Sequence, residues 1–195
     1  MRPATNLAAL LMAGALTGCG GSGPSFKSTD ITGADYGKDF ALTDHTGKAR
    51  TLGDFRGKVV VMFFGYTRCP DVCPITLAEL KAVKEQLGEE GKRLQVVFVT
   101  VDPERDTQKL LAEYVPAFDP SFLGLYGDPA AIAKVAKDFR VFYQKSPGKT
   151  PESYTVDHTA GSYIFDPQGR LRLFARHGNA GNLLADIRTL LRISG

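Results

Sequence analysis

The 195-residue chain has no tryptophan and only three cysteines, three histidines and three methionines. So few cysteines exclude a scaffold stapled by many disulfides, and a chain of this length can bury a full hydrophobic core without them. Charge of one sign is also missing: 24 Lys and Arg face 21 Asp and Glu, a formal net charge of +3. The basic residues are scattered, so no nucleic-acid footprint forms and no nucleic-acid partner is expected. No internal repeat is visible. The apolar stretch near the start, Leu7 to Leu16, is too short to span a bilayer as a stable helix.

That stretch instead reads as an export signal. Arg2 supplies the positive end, Leu7-Ala8-Ala9-Leu10-Leu11-Met12-Ala13-Gly14-Ala15-Leu16 the apolar core, and Leu16-Thr17-Gly18-Cys19 resembles the bacterial lipobox, whose cysteine is lipidated. The expectation is a lipoprotein signal peptide over 1–18 and a membrane anchor at Cys19; the alternative is an ordinary secretory signal with a stray cysteine. Residues 19–28, rich in Gly and Ser, read as a flexible tether reaching about 15–20 Å. Residues 29–195 have the size of one ordinary domain.

Two thiols in that domain are the most informative feature. Cys69 and Cys73 lie four apart in Gly65-Tyr66-Thr67-Arg68-Cys69-Pro70-Asp71-Val72-Cys73-Pro74, after the apolar, β-branched run Val59-Val60-Val61-Met62-Phe63-Phe64, a strand buried on both faces. Each precedes a proline, which disfavours right-handed helical backbone. The pair is therefore expected in a loop, with Cys73 near a helix N-cap and Pro74 at the first helical position. A helix start lowers a thiol's pKa, and the thiolate is what attacks disulfides or binds soft metal. A static disulfide is the plainer reading, but closing so short a loop would stabilise little.

Downstream, Leu77, Leu80, Val83 and Leu87 recur at helical spacing, and Leu94 to Val101 reads as a second buried strand, giving a parallel βαβ unit. Asp102-Pro103-Glu104-Arg105-Asp106-Thr107 precedes a helix bearing Leu110, Leu111, Tyr114 and Val115. Asp128-Pro129 opens another with Ile132, Val135, Ala136 and Phe139. A short strand is expected at Phe122 to Leu125, and strands at Val141–Tyr143, Ser162–Phe165 and Leu171–Phe174 are expected to pair antiparallel, the last two through Asp166-Pro167-Gln168-Gly169. Asn182 to Ile193 closes as an amphipathic helix. This is an α/β, thioredoxin-like layout: a central mixed sheet flanked by helices, with an extra N-terminal β-hairpin across residues 40–52 and an inserted helix.

Of the three histidines, His45 in the hairpin turn and His177 beside Gly178-Asn179 read as solvated turn residues. His158, in Tyr154-Thr155-Val156-Asp157-His158-Thr159-Ala160, lies just before the final hairpin; on the residues alone it is either functional or a loop cap.

With these motifs in hand, the chain resembles the Sco/SenC family, copper-binding thioredoxin-like proteins of cytochrome oxidase assembly. Four segments carry the likeness: residues 65–74, Val101-Asp102-Pro103-Glu104-Arg105-Asp106-Thr107, Val156-Asp157-His158-Thr159 and Asp166-Pro167-Gln168-Gly169. The resemblance implies Cys69, Cys73 and His158 as metal ligands, with Arg68 replacing a histidine often found before the first cysteine. Two thiolates and one imidazole suit Cu(I), and an added weak or hard ligand suits Cu(II); zinc would want a fourth ligand. Asp157 or Asp102 would orient His158, unless each caps local backbone.

The resulting expectation is a lipid-anchored copper metallochaperone of the bacterial cell envelope, facing the periplasm or extracytoplasmic side. Its partner would be the copper-containing subunit of cytochrome c oxidase, with another periplasmic copper carrier or a thiol reductant as a further partner. The alternative is a thiol-disulfide oxidoreductase using Cys69 and Cys73 as a redox pair. Peroxidase chemistry lacks a recognisable set of groups to polarise a peroxide.

Overall fold

The computed structural model describes residues 24–150 and 153–193; the expected signal peptide and Cys19 lie outside the described residues. Two strands form the centre: β4 (Val59–Gly65) and β5 (Leu94–Thr100) run parallel in register from Val59↔Leu94 to Gly65↔Thr100, with every residue of both buried. Their largely apolar, β-branched and aromatic character is what a sheet covered on both faces requires. On one side β6 (Leu123–Tyr126) continues in parallel, followed by β2 (Leu42–Asp44) and β3 (Ala49–Arg50), the two arms of the N-terminal hairpin. On the other side β9 (Gly161–Phe165), β10 (Leu171–Arg176) and the short β1 (Thr29–Asp30) are antiparallel. The order is β1-β10-β9-β4-β5-β6-β2-β3, a mixed sheet of thioredoxin-like type.

Four helices complete the fold: α1 (Val72–Leu87), α2 (Gln108–Tyr114), α3 (Pro129–Asp138) and α4 (Ala180–Ile193). The inward stripe of α1 is Cys73, Thr76, Leu77, Leu80, Val83 and Leu87, one face at helical spacing. Thr107 caps α2 by accepting from Leu110 N–H, and Asp128 caps α3 by accepting from Ala131 N–H with Pro129 behind it. Asp166 builds the β9–β10 turn, accepting from the amides of Gln168 and Arg170, and Gly169 there takes φ +70°.

Two expectations need correction. Helix α1 begins at Val72 with Asp71 as N-cap, so Cys73 and Pro74 lie inside its first turn. Pro74 is tolerated because the amides of the first turn have no intrahelical acceptor to lose. The second correction concerns Val141–Tyr143, which does not join β9. Instead β7 (Tyr143–Ser146) pairs with β8 (Thr155–His158) as a separate two-stranded sheet, Tyr143 opposite His158. The partly exposed pattern of β7 has no second apolar face to bury in the main sheet.

Candidate metal centre

β4 aims the chain at the site. It ends at Gly65, where a Cβ would stand 2.6 Å from Cys73 Sγ; the missing side chain is the space the sulfur occupies. The loop then turns back, Cys69 N–H donating to the Tyr66 carbonyl at 3.2 Å. Buried Asp106 holds the loop from behind, accepting from Thr67 N–H, from Thr67 Oγ1 at 2.6 Å and from Thr100 Oγ1 at 2.6 Å. Burial pushes that carboxyl above the usual range against these hydrogen bonds.

The thiols are both free and unlike each other. Cys69 keeps 9% of its surface exposed while Cys73 keeps 0%. A hydrogen bond from Cys73 is the main reason the Cys69 thiol is held down to about 5; burial opposes it, and the Asp71 and Cys73 amides assist. The same bond, with burial next, pushes the Cys73 thiol far up. One sulfur is thus a poised thiolate and the other a protonated, buried thiol.

His158, at the end of β8, closes the group. Its Nε2 stands 3.7 Å from Cys73 Sγ, and its Nδ1 lies 3.2 Å from the Thr159 carbonyl. A carbonyl only accepts, so Nδ1 carries the proton and the Nε2 lone pair faces the sulfurs. Among the described residues, Cys69, Cys73 and His158 are the group with metal-ligand atoms gathered together, all within 4.8 Å of one another.

The other sequence candidates lie elsewhere. Asp157 accepts from Ser146 Oγ at 2.6 Å across the β7–β8 hairpin. Asp102 is buried and accepts from the Tyr154 hydroxyl at 2.7 Å and from Arg105. His45 is structural: its Nδ1 accepts from Gly124 N–H at 3.1 Å, tying the N-terminal hairpin to β6. His177 is not solvated as expected. Among the described residues its ring nitrogens are buried without a partner of hydrogen-bond geometry, the Gly161 backbone interacting only loosely, and the ring meets Phe63 edge-on at 5.8 Å. Sequence reading assigned no role to Tyr66, Arg105 or Tyr154, which frame the site; the signal available was their place inside the quoted motifs.

A family model described as SCO1/SenC matches residues 28–192. The chain belongs to the SCO1/SenC family. The mitochondrial SCO2 homolog of Bos taurus is 44% identical over 133 residues, which is 67% of this chain and 50% of that protein. The chain therefore spans about half the length of the curated relatives it matches first. The structure of Bradyrhizobium japonicum ScoI with copper bound is 41% identical, covering 83% of this chain and 100% of that one with a TM-score of 0.71. The solution structure of apo Sco1 from Thermus thermophilus is 44% identical, covering 87% and 99% with a TM-score of 0.76. Copper thus occurs in a SCO1/SenC relative of this fold. The residues here fit such an ion on their own chemistry: two soft sulfurs and one imidazole nitrogen converge, at the low coordination Cu(I) accepts.

Proposed function

We propose that this SCO1/SenC chain is a copper metallochaperone that binds one copper ion through Cys69, Cys73 and His158 and assists metallation of the binuclear copper centre of cytochrome c oxidase. The observation that carries the reading is the convergence of three donor atoms within 4.8 Å, with the His158 lone pair turned toward the thiols. In this reading Cys69 offers a ready thiolate at neutral pH, and Cys73 gives up its proton as the ion enters. The Thr159 carbonyl keeps the imidazole in the tautomer that binds. A three-donor site leaves an open coordination position through which a second protein's ligands can take the ion.

The different acidities of the two thiols favour a second reading, thiol-disulfide exchange. The Cys69 thiolate would attack a partner disulfide and form a mixed disulfide, expelling one partner thiolate. Cys73, losing its proton, would then displace the second, so that two electrons pass to the partner and a Cys69–Cys73 disulfide remains. That disulfide has no thiolate to offer copper, so the two activities exclude each other at any moment.

The deciding experiment compares wild type, His158→Ala, Cys73→Ala and His45→Ala. Reduced wild-type protein should take up one copper, with strong losses in the Cys73 and His158 variants and none specific to His45→Ala. In copper-limited cells at matched protein levels, copper delivery requires that His158→Ala fail to support oxidase activity. Full rescue by His158→Ala with none by Cys73→Ala would instead establish the reductase.

A further inference from the structure

His158 sits on an element that the main sheet does not hold. Among the described residues β7 and β8 pair only with each other, so no strand ladder to the central sheet sets where the imidazole stands over the thiols. Side chains must do so: Val156 of β8 is buried and its backbone meets the Tyr66 hydroxyl of the cysteine loop, and a further set of contacts converges on the loop after β5. Arg105 donates from Nε to Asp102 Oδ2 at 2.5 Å and from Nη1 to the Tyr154 carbonyl at 2.9 Å. Its guanidinium lies 3.5 Å from the centroid of the Tyr154 ring and 5.8 Å from that of Tyr66. The Tyr154 hydroxyl closes the ring of contacts on Asp102 Oδ1 at 2.7 Å.

Those two tyrosines belong to the two halves of the donor set. Tyr154 immediately precedes β8 and so governs how His158 is delivered; Tyr66 lies in the cysteine loop, its ring edge-on to the His158 imidazole with centroids 6.1 Å apart. A planar guanidinium can stack on an aromatic face while its edge makes directed hydrogen bonds, which an ammonium cannot do. The neighbouring Lys145–Glu104 pair, at 2.6 Å but with both side chains exposed, adds little.

We infer that Arg105 is a positioning residue for the metal centre: by clamping Tyr154 of the hairpin to Tyr66 of the cysteine loop, it sets the placement of His158 over the two thiols. This rests on the reading of those three side chains as copper ligands. It follows that losing the guanidinium weakens copper binding through His158 and leaves the sulfurs' contribution intact.

Arg105→Met keeps the apolar stem and removes the fork. In the metal-free protein, the nuclear Overhauser contacts between the His158 and Tyr66 rings should weaken. Copper(I) affinity should fall about tenfold, a loss of about 1.4 kcal/mol, and the Cu(II) electron paramagnetic resonance spectrum should lose its imidazole nitrogen coupling. In a His158→Ala background the same substitution should cost no further affinity, so the double-mutant cycle assigns the whole effect to the pair. If Arg105→Met does not fold, Arg105→Lys, which keeps the charge without the fork, is judged by the same cycle. Equal losses in both backgrounds, or unchanged ring contacts and affinity, overturn the clamp. A wild-type protein that binds no copper would overturn the metal centre instead, and the ring contacts of the metal-free protein would still decide the clamp.

Discussion

Cys69 and Cys73 are the same residue type given opposite characters by a few ångströms of placement. The hydrogen bond that Cys69 receives from Cys73, helped by the Asp71 and Cys73 amides and opposed by burial, holds its thiol down to about 5, so its thiolate fraction is half-formed near that pH and complete at neutrality. Alkylation of reduced protein by iodoacetamide should therefore proceed at Cys69 with a rate that levels off above about pH 6, where an ordinary thiol is still rising toward its pKa near 8.5. Peptide mapping should find Cys73 unmodified in the native state; a rate at Cys69 that climbs through pH 8 would remove the poised thiolate. His177 poses a residue-scale problem of another kind. Burial, followed by electrostatic repulsion from His158, pushes its pKa down to about 4 from an unfolded value of 6.5. The unfolded chain thus binds the extra proton first, and the stability this neutral imidazole permits is full above pH 6.5 and lost as pH falls toward 4. Unfolding midpoints in urea should show that slope in wild type and a flatter one in His177→Leu. The variant should also be neutral or more stable at pH 7, because the buried ring nitrogens it removes make only a loose interaction with the Gly161 backbone.

At the scale of elements, the site is a meeting of two strand ends and one helix start. β4 ends in a residue without a side chain, α1 begins with a thiol packed into that gap, and β8 ends in the imidazole. A methyl at Gly65 would fall 2.6 Å from Cys73 Sγ and 2.9 Å from the Phe98 ring, closer than real Cβ atoms come, so something must shift. Gly65→Ala should move the sulfur away from His158 and Cys69. We expect a folded protein destabilised by about 1–3 kcal/mol, with weakened copper binding and a Cys69 pKa raised toward the ordinary thiol value as its hydrogen bond lengthens. A variant with wild-type copper affinity and alkylation profile would show that the gap is filled without consequence. The β7–β8 hairpin is where element-level reading fell short. Its partly exposed residues carry no full apolar face, and side-chain contacts hold it over the cysteine loop: Tyr66 meets the Val156 backbone and the His158 ring, and Arg105 lies against both Tyr154 and Tyr66.

At the scale of the whole molecule, the domain takes hold of the chain earlier than the composition of residues 19–28 suggests. Buried Asp186 on α4 accepts from the amides of Lys27 and Ser28 at 2.7 and 2.8 Å, and Phe26 packs against the core. A tether from an anchored Cys19 would therefore be shorter than the composition alone implies and would hold the domain nearer the anchoring surface. The expected anchor is tested by intact mass of the membrane fraction, which should show a mature chain starting at acylated Cys19; an unmodified Cys19, or release without detergent, would remove it. What the sequence determined by itself was whatever depends on local pattern. An unbroken apolar run predicted β4 and a nearly all-apolar one β5, spacing predicted the buried stripe of α1, and Asp128-Pro129 marked the start of α3, because periodicity and capping act within a few residues of one another. The ligand set was legible only through motif resemblance, since Cys73 and His158 are 85 positions apart and no local rule joins them. Tertiary structure alone decided the rest: that His45 is a strap and His177 a ring with buried nitrogens packed against Phe63, that one thiol is acidic and the other is not, and that Arg105 lies between the two halves of the site. Each of these is a matter of burial and of partners distant in sequence, and a side chain's charge, tautomer and contacts follow from what surrounds it in space.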